Sequence, residues 1–107
     1  MAQDKVKEQQ MTNNHEIKTM TVIDAPENQV GNRLLAIFDI LSSGIMIRGC
    51  VLLRKSGGQL VAKGPIGKNH VGGAIRAEFV DTEVKDAIAS KAARAYAALT
   101  GREAPDE

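Results

Sequence analysis

The chain has 107 residues, of which 43% are hydrophobic and 25% charged. This length and composition are typical of one soluble globular domain, with too few aromatic residues for anything but an aliphatic core. The single cysteine, Cys50, excludes an internal disulfide framework and a cysteine-based metal site, and it suits a reducing cytoplasm. The net charge is only +1, but residues 33–78 contain seven lysines and arginines and only two acidic residues. A basic middle between acidic ends is typical of a polyanion site, although charges scattered along strand edges would give the same count.

The ends of the chain are polar. Residues 1–16 show no periodicity that would bury a face, so they are predicted to be a disordered tail, and residues 102–107 a second short tail. Residues 17–101 remain as a single domain. No apolar stretch has the length of a signal peptide or a membrane span, so we expect neither export nor membrane association.

The first half of the domain has strand character. "IKTMTVID" (17–24) alternates and is rich in β formers, and "RLLAIFDIL" (33–41) and "IMIRGCVLLR" (45–54) flank the turn "SSG" as in a hairpin. Strict alternation places Arg48 and Arg54 on one face of the second hairpin strand. Both faces of the strand 33–41 are apolar, which predicts that another protein surface packs against each face. We therefore expect a homodimer, joined through 33–41 or by strand exchange across "SSG".

The next stretch is rich in glycine. "LVAK" (60–63) continues the sheet, "AIRAEFV" (74–80) has short alternating character, and "GPIGKNHVGG" lies between them. The stretch fails the P-loop pattern, because Ala62 and Asn69 stand where a glycine and a hydroxyl residue are required. "GPIG" lacks the flanking helices of a KH domain. Two interpretations remain: a flexible basic loop that a phosphate backbone can approach, or a long hairpin loop with ordinary surface charges.

The period then changes to that of a helix. Apolar residues recur three and four positions apart at Val84, Ile88, Ala92, Ala95 and Leu99, with Ala87 and Tyr96 flanking them. Asp81 or Thr82 is placed to cap this helix and Gly101 to end it. Strands followed by one helix predict an α+β fold, a small antiparallel sheet of about four to five strands with the C-terminal helix packed on it.

No catalytic or metal-binding constellation is evident. His15, in the tail, and His70, in the loop, are expected to be solvated and lack carboxylates at useful spacing. The serines have no nearby base, and Cys50 lies in an aliphatic strand where a thiol behaves as a small apolar group. The prediction is a protein that is not an enzyme, with no metal, no cofactor and no small-molecule substrate.

The helix region resembles a known family. "VDTEVKDAIASKAARAY" (80–96) is similar to the end of the SpoVG family, stage V sporulation protein G or septation regulator, through Asp81, Thr82, Glu83, Lys85, Asp86, Ile88 and Tyr96. Upstream, "LLAIFDI" and "GGQLVAKGP" resemble two further segments of that family, and the resemblance covers residues 18–98. The stretch after Pro65 departs from the family pattern, as do Arg48-Gly49 and Glu78-Phe79.

The resemblance implies a small α+β protein, dimeric through swapped strands, that binds DNA and RNA as a cytoplasmic regulator. Carried over by position, it assigns nucleic-acid contact to Lys85, and to Lys68 and Arg76 in the diverged stretch. The basic middle adds Lys63, Arg54 and Lys55 to the predicted site. The alternative is a protein interaction module that uses an exposed apolar strand face.

Overall fold

The computed structural model describes residues 15–101 of the chain. The elements in chain order are β1 (His15–Val22), β2 (Arg33–Ser42), β3 (Ile45–Arg54), β4 (Leu60–Lys63), β5 (Ile66–Lys68), β6 (Ala74–Arg76) and α1 (Thr82–Thr100). The first four strands form one antiparallel sheet in the order β1-β2-β3-β4, and β5 and β6 form a separate two-stranded sheet. The predicted α+β architecture is confirmed.

The sheet begins earlier than the sequence pattern indicates. β1 starts at His15, whose side chain is only 7% exposed and whose Nδ1 lies 2.8 Å from the Ser42 hydroxyl at the end of β2. The prediction of a solvated His15 in a tail is therefore wrong, because pairing with β2 continues past the alternating stretch. Residues 1–14 and 102–107, which make up the rest of the predicted tails, lie outside the described residues.

The β2–β3 hairpin is confirmed, and Ser43 and Gly44 close it with positive φ angles of 51° and 83°. An irregularity in the β2–β3 register at Leu35 changes which residues face the core. Leu35 and Ala36 are both fully buried, although strict alternation would place them on opposite faces. Strict alternation would also place Leu35 and Ile37 on one face, but Leu35 is buried whereas Ile37 remains 38% exposed on the other side of the sheet.

A second bulge lies opposite Asp39. Phe38 pairs with Cys50 and Ile40 with Ile47, so Arg48 and Gly49 together face one residue of β2. The Gly49 N–H donates to the Asp39 carboxylate at 3.0 Å. Because the extra residue reverses the alternation, Arg48 and Arg54 lie on opposite faces, and the prediction that they share one is wrong.

α1 packs on the inner face of the sheet. The Asp81 carboxylate caps it by accepting from the Glu83 and Val84 N–H groups at 2.9 and 3.2 Å, and Gly101 ends it with a φ of 72°. Ile88, Ala92 and Tyr96 are buried against the sheet, whereas Leu99, which periodicity places in the stripe, is 60% exposed. Among residues 15–101, no helix is both long and apolar enough to cross a membrane.

The helix is also tied to the β1–β2 connection. The Tyr96 hydroxyl donates to the Asp24 carboxylate, and the Arg33 guanidinium lies 3.7 Å from the same carboxylate oxygen. Arg33 also donates through Nε to the Ala25 carbonyl at 2.9 Å. These contacts attach the C-terminal end of α1 to the β1–β2 connection, which Arg33 in turn joins to β2.

Candidate nucleic-acid interface

A basic cleft of about 380 Å³ lies where β4, the base of the β5–β6 hairpin and the start of α1 meet. Four different segments supply its cations: the turn after β3, the end of β4, the end of β6 and the first turns of α1. These cations are Lys55, Lys63, Arg76 and Lys85, and the remaining lining residues are Ala62, Gly64, Ala77, Glu78 and Phe79. We call this site the basic cleft. It assembles positive charges that lie up to thirty positions apart in the sequence.

The floor of the basic cleft depends on a close backbone crossing. A Cβ atom on Gly64 would collide with the carbonyl group of Ala77, so the two segments meet at this distance only because residue 64 has no side chain. The Ala77 N–H donates to the Pro65 carbonyl at 3.0 Å, and the Arg76 guanidinium donates to the Gly64 carbonyl at 2.5 Å. This crossing holds the Arg76 side chain at the cleft and anchors the hairpin to the body of the domain.

The charge of the basic cleft is largely uncompensated. Among residues 15–101, the recorded ion pairs are Lys18–Glu16, Arg33–Asp24 and Arg54–Glu27, and none involves a cation of the cleft. Glu78 is the one acidic residue in the lining. Four cations against one carboxylate make the cleft attractive to anions, and side chains without ion-pair partners are available to a ligand.

The six residues predicted from the sequence fall into three groups. Lys55, Lys63, Arg76 and Lys85 meet in the basic cleft, and Lys68 lies exposed on β5, farther out along the hairpin. Arg54 is not brought to the cleft, because its Nη2 lies 2.8 Å from the Glu27 carboxylate in the β1–β2 connection. Sequence position next to Lys55 does not place Arg54 beside it in space, since successive strand residues point to opposite faces.

A second cleft of about 430 Å³ adjoins the first. Lys55 and Lys85 line both clefts, while Thr82, Asp86 and Gln59 line only the second. The carboxylate of Asp86 reduces the positive charge there. An extended anion that occupies the basic cleft could continue along this surface, but the positive charge is concentrated in the first cleft.

The glycine-rich stretch is an ordered hairpin. Ile66 pairs with Arg76, Gly67 with Ile75 and Lys68 with Ala74. We call residues 66–76 the hairpin arm. Both interpretations expected a long loop, whereas residues 66–68 and 74–76 are paired strands and only the residues between them form a turn. Strand propensity alone misses this result, because Gly67 and the short strands carry little β signal.

Asn69 organises the tip of the hairpin arm. Its N–H donates to the Gly73 carbonyl at 2.8 Å, and its side-chain oxygen accepts from the N–H groups of Val71 and Gly73 at 3.1 and 2.8 Å. Sequence reasoning overlooked this role. The signal was present, because "NHVGG" repeats the pattern of "NQVGN" at residues 28–32.

The groups considered for catalysis lie elsewhere. Cys50 is fully buried in the core, and its pKa is raised to about 11, first by burial and then by the charge of Asp39. Its thiol is protonated at neutral pH and is a poor nucleophile. Within residues 15–101, no three side chains of the His, Cys, Asp and Glu types are grouped so that they could hold a metal ion.

No protein-family model, curated protein or solved structure matches the chain. The basic cleft and the hairpin arm are therefore the features from which a function is inferred.

Proposed function

We propose that this protein is a non-enzymatic regulator that binds DNA or RNA in the cytoplasm as a homodimer, as its resemblance to the SpoVG family implies. The observation that carries the proposal is the basic cleft, where Lys55, Lys63, Arg76 and Lys85 converge from separate segments and form no ion pair with any other of residues 15–101. Cations gathered in this way at a concave surface are suited to bind the phosphates of a polyanion.

The ligand contact is expected to be with phosphates rather than with stacked bases. The chain has two phenylalanines, one tyrosine and no tryptophan, and Tyr96 and Phe38 are buried in the core. Phe79 lines the basic cleft but also packs against the core cluster. Binding of single strands by stacking relies on exposed aromatic side chains, which the described surface does not offer outside Phe79.

Dimerisation is proposed through the outer face of the sheet. Leu34, Ile37, Val51 and Leu53 lie on the side opposite α1, and all four retain some exposure. β2 cannot recruit a partner along its edges, because β1 and β3 already pair with it. Of the two routes expected from the sequence, contact through β2 is thus proposed to occur face to face, with a second copy covering these four residues. Size exclusion with light scattering at micromolar concentration should give a dimer for the native chain and a monomer for Ile37→Asp; a native monomer would reject this part of the proposal.

Nucleic-acid binding is tested by its dependence on salt. If six phosphates are neutralised, a plot of log affinity against log salt for duplex DNA should have a slope of about −5. Replacing Lys63 and Lys85 together by glutamine should reduce the magnitude of this slope by about 2, because two phosphate contacts are lost. The matched control replaces Lys18 and Arg48, two exposed cations outside the basic cleft, and leaves the slope near its native value. Equal slopes for the two double variants would place the site elsewhere.

A second candidate function is a protein interaction module. The observation in its favour is the same outer face, where Ile37 is 38% exposed beside other apolar residues of β2 and β3. The two functions are separated by binding to mixed oligonucleotides at about 50 mM salt, where non-specific affinity is high. Absence of binding under that condition would favour the interaction module.

A further inference from the structure

The hairpin arm stands apart from the sheet and is exposed along its length. Its two strands pair with each other and with no strand of the larger sheet. Ile66, Val71 and Ile75 are 62%, 76% and 53% exposed. The register places Ile66 and Ile75 on opposite faces of the two-stranded ribbon, and Val71 lies in the turn at its tip, so each side of the ribbon and its end present an apolar side chain. The hairpin arm therefore has the features of a contact element.

The charge around these apolar side chains indicates the kind of partner. Residues 63–76 contain Lys63, Lys68 and Arg76 and no aspartate or glutamate. The base of the hairpin arm opens into the basic cleft, to which Lys63 and Arg76 both belong. The tip therefore presents one exposed apolar side chain, Val71, while the charges of the strands and base are all cationic. Duplex nucleic acid, a polyanion with an apolar interior, is complementary to this arrangement.

The shape and stiffness of the hairpin arm also suit a groove. A two-stranded ribbon fits the major groove of regular duplex DNA, and strands also bind in the minor groove where an inserted side chain kinks the duplex. Four hydrogen bonds of Asn69, to Val71, Gly72 and twice to Gly73, brace the tip, with Gly72 at a φ of 86° and Val71 beside it in the turn. A tip that is already ordered loses little conformational entropy on binding.

We propose that the hairpin arm enters the minor groove of duplex DNA and that Val71 inserts as an apolar wedge at a base step, while the basic cleft holds the neighbouring phosphates. This inference rests on the proposed nucleic-acid function and specifies its ligand as double-stranded DNA. An inserted apolar side chain partly unstacks the step and bends the duplex. The cost of unstacking is offset by burial of Val71 and by the additional phosphate contacts that a bent duplex makes.

The chain contains a matched control for Val71. Val30 occupies the same position in the turn of residues 28–32, is 68% exposed, and follows an asparagine that makes the same side-chain hydrogen bonds. The turn of Val30 has Glu27 beside it and lies outside both clefts. Val30→Ser therefore makes the same chemical change at a similarly exposed and similarly built turn, away from the proposed groove contact.

The experiment uses the full chain and a duplex with 2-aminopurine at its centre, whose fluorescence rises when the base unstacks. The native protein and Val30→Ser should raise the fluorescence at saturation. Val71→Ser should lose this signal and bind the duplex about tenfold more weakly. Its salt slope should stay at the native value, because no cation is removed. Val71→Thr keeps the branched shape and should give an intermediate signal, and urea midpoints verify that all variants are folded.

The outcomes separate the inference from the function on which it depends. Absence of binding to duplex DNA, single-stranded DNA and RNA alike at about 50 mM salt would reject the proposed function itself, whereas binding to single strands without duplex binding would overturn only the inference. Duplex binding with a native salt slope and an equal fluorescence response from Val71→Ser and Val30→Ser would overturn the wedge and leave the function standing. Tighter binding to a single strand than to the duplex would also overturn it. Self-association of the native chain that Val71→Ser abolishes, without any change in the DNA signal, would assign the hairpin arm to a second copy instead.

Discussion

Two turns of this protein share a sequence pattern and a conformation but differ in their surroundings. Residues 28–32 read "NQVGN" and residues 69–73 read "NHVGG". In the first, the Asn28 side-chain oxygen accepts from the N–H groups of Val30 and Asn32 at 3.0 and 2.9 Å. Asn69 accepts from the corresponding groups of its own turn at 3.1 and 2.8 Å. The fourth residue of each is a glycine, with φ of 84° at Gly31 and 86° at Gly72.

The first turn is packed into the domain. The Ser56 N–H donates to the Asn32 side-chain oxygen at 3.1 Å, and a Cβ on Gly31 would lie 2.9 Å from the Ser56 Cβ. Glu27, directly before the turn, pairs with Arg54 at 2.8 Å. This turn thus connects the β1–β2 connection to the turn after β3, and the nearby cation, Arg54, is neutralised by Glu27.

The second turn is at the end of the hairpin arm. A Cβ on Gly72 would meet no atom within 4 Å, and Lys68 and His70 are exposed beside it. The comparison shows that the local pattern N-x-V-G specifies the turn, whereas the neighbouring segments determine whether the turn stabilises the domain or is available to a ligand. Substitutions at matching positions of the two turns separate these two roles.

The largest contrast is expected from the turn glycines. Gly31→Ala should lower the free energy of unfolding by about 2–3 kcal/mol, because a left-handed residue gains a Cβ and that Cβ collides with Ser56. Gly72→Ala carries the same backbone strain but meets open space, in an element outside the large sheet, so the loss should be about 1 kcal/mol or less. Urea unfolding of both variants checks this, and equal losses would mean that the two turns are equally integrated.

Substitution of the two turn asparagines should change stability less than substitution of the glycines. Asn28 should affect stability more than Asn69, and Asn69 should affect duplex binding more than Asn28. Asn28→Ala should lower the free energy of unfolding by about 1 kcal/mol through the loss of two hydrogen bonds. Asn69→Ala should change it by less than about 0.5 kcal/mol but weaken duplex binding about threefold, because the tip must then be ordered on binding. Asn28→Asp keeps the acceptor oxygen and serves as the control for stability. Weaker duplex binding by Asn28→Ala than by Asn69→Ala would contradict the assignment of roles.

Acid should weaken the sheet that carries the first turn. Burial, and secondarily the charge of Lys91, lower the pKa of His15 from about 6.5. His15 therefore binds a proton more readily in the unfolded chain than in the folded chain. The contribution of neutral His15 to the free energy of unfolding is present above about pH 6.5 and is lost as the pH falls below that value. Urea unfolding between about pH 7 and pH 5 should show this decline, and His15→Gln should make it shallower. An identical pH profile for the variant would show that another group controls the acid response.

The smallest effect is expected from the ion pair beside the first turn. Glu27→Gln should lower the free energy of unfolding by at most about 0.5 kcal/mol, because the Glu27 side chain is 57% exposed and its attraction to Arg54 is screened by water. Lys18→Gln, which breaks the exposed pair with Glu16, is the control of similar size. Differential scanning calorimetry at low and high salt measures both, and a loss well above 1 kcal/mol for Glu27→Gln would show that the turn depends on this pair more than its exposure indicates.

The sequence by itself determined most of the secondary structure. The β2–β3 hairpin, β4, the capped helix and the order of strands before helix all follow from local periodicity and from cap and turn residues. These features are set within a few residues along the chain, so a single sequence contains them. The four cations of the basic cleft were also among the residues predicted from the positive middle of the chain and the resemblance at Lys85.

Tertiary structure decided which residues of each strand face the core. The irregularities at Leu35 and at Arg48-Gly49 each add one residue to one strand of a pair. One added residue reverses the face of the sheet to which every later side chain of that strand points. The pattern of apolar residues does not mark these positions, because Leu35 and Ala36 are equally compatible with either face. The burial of His15 likewise depends on pairing with Ser42, which is twenty-seven positions away.

Tertiary structure also decided which residues come together in the basic cleft. Gly64 and Ala77 must cross closely before Arg76 can reach the basic cleft, and Arg54 is withdrawn from it by Glu27. Both are contacts between segments that the chain keeps apart by more than ten positions. Composition and local pattern determined which residues are basic and which segments turn. Only the packing of one segment against another determined which charges meet, because electrostatic and steric contacts depend on distance in space and not on distance along the chain.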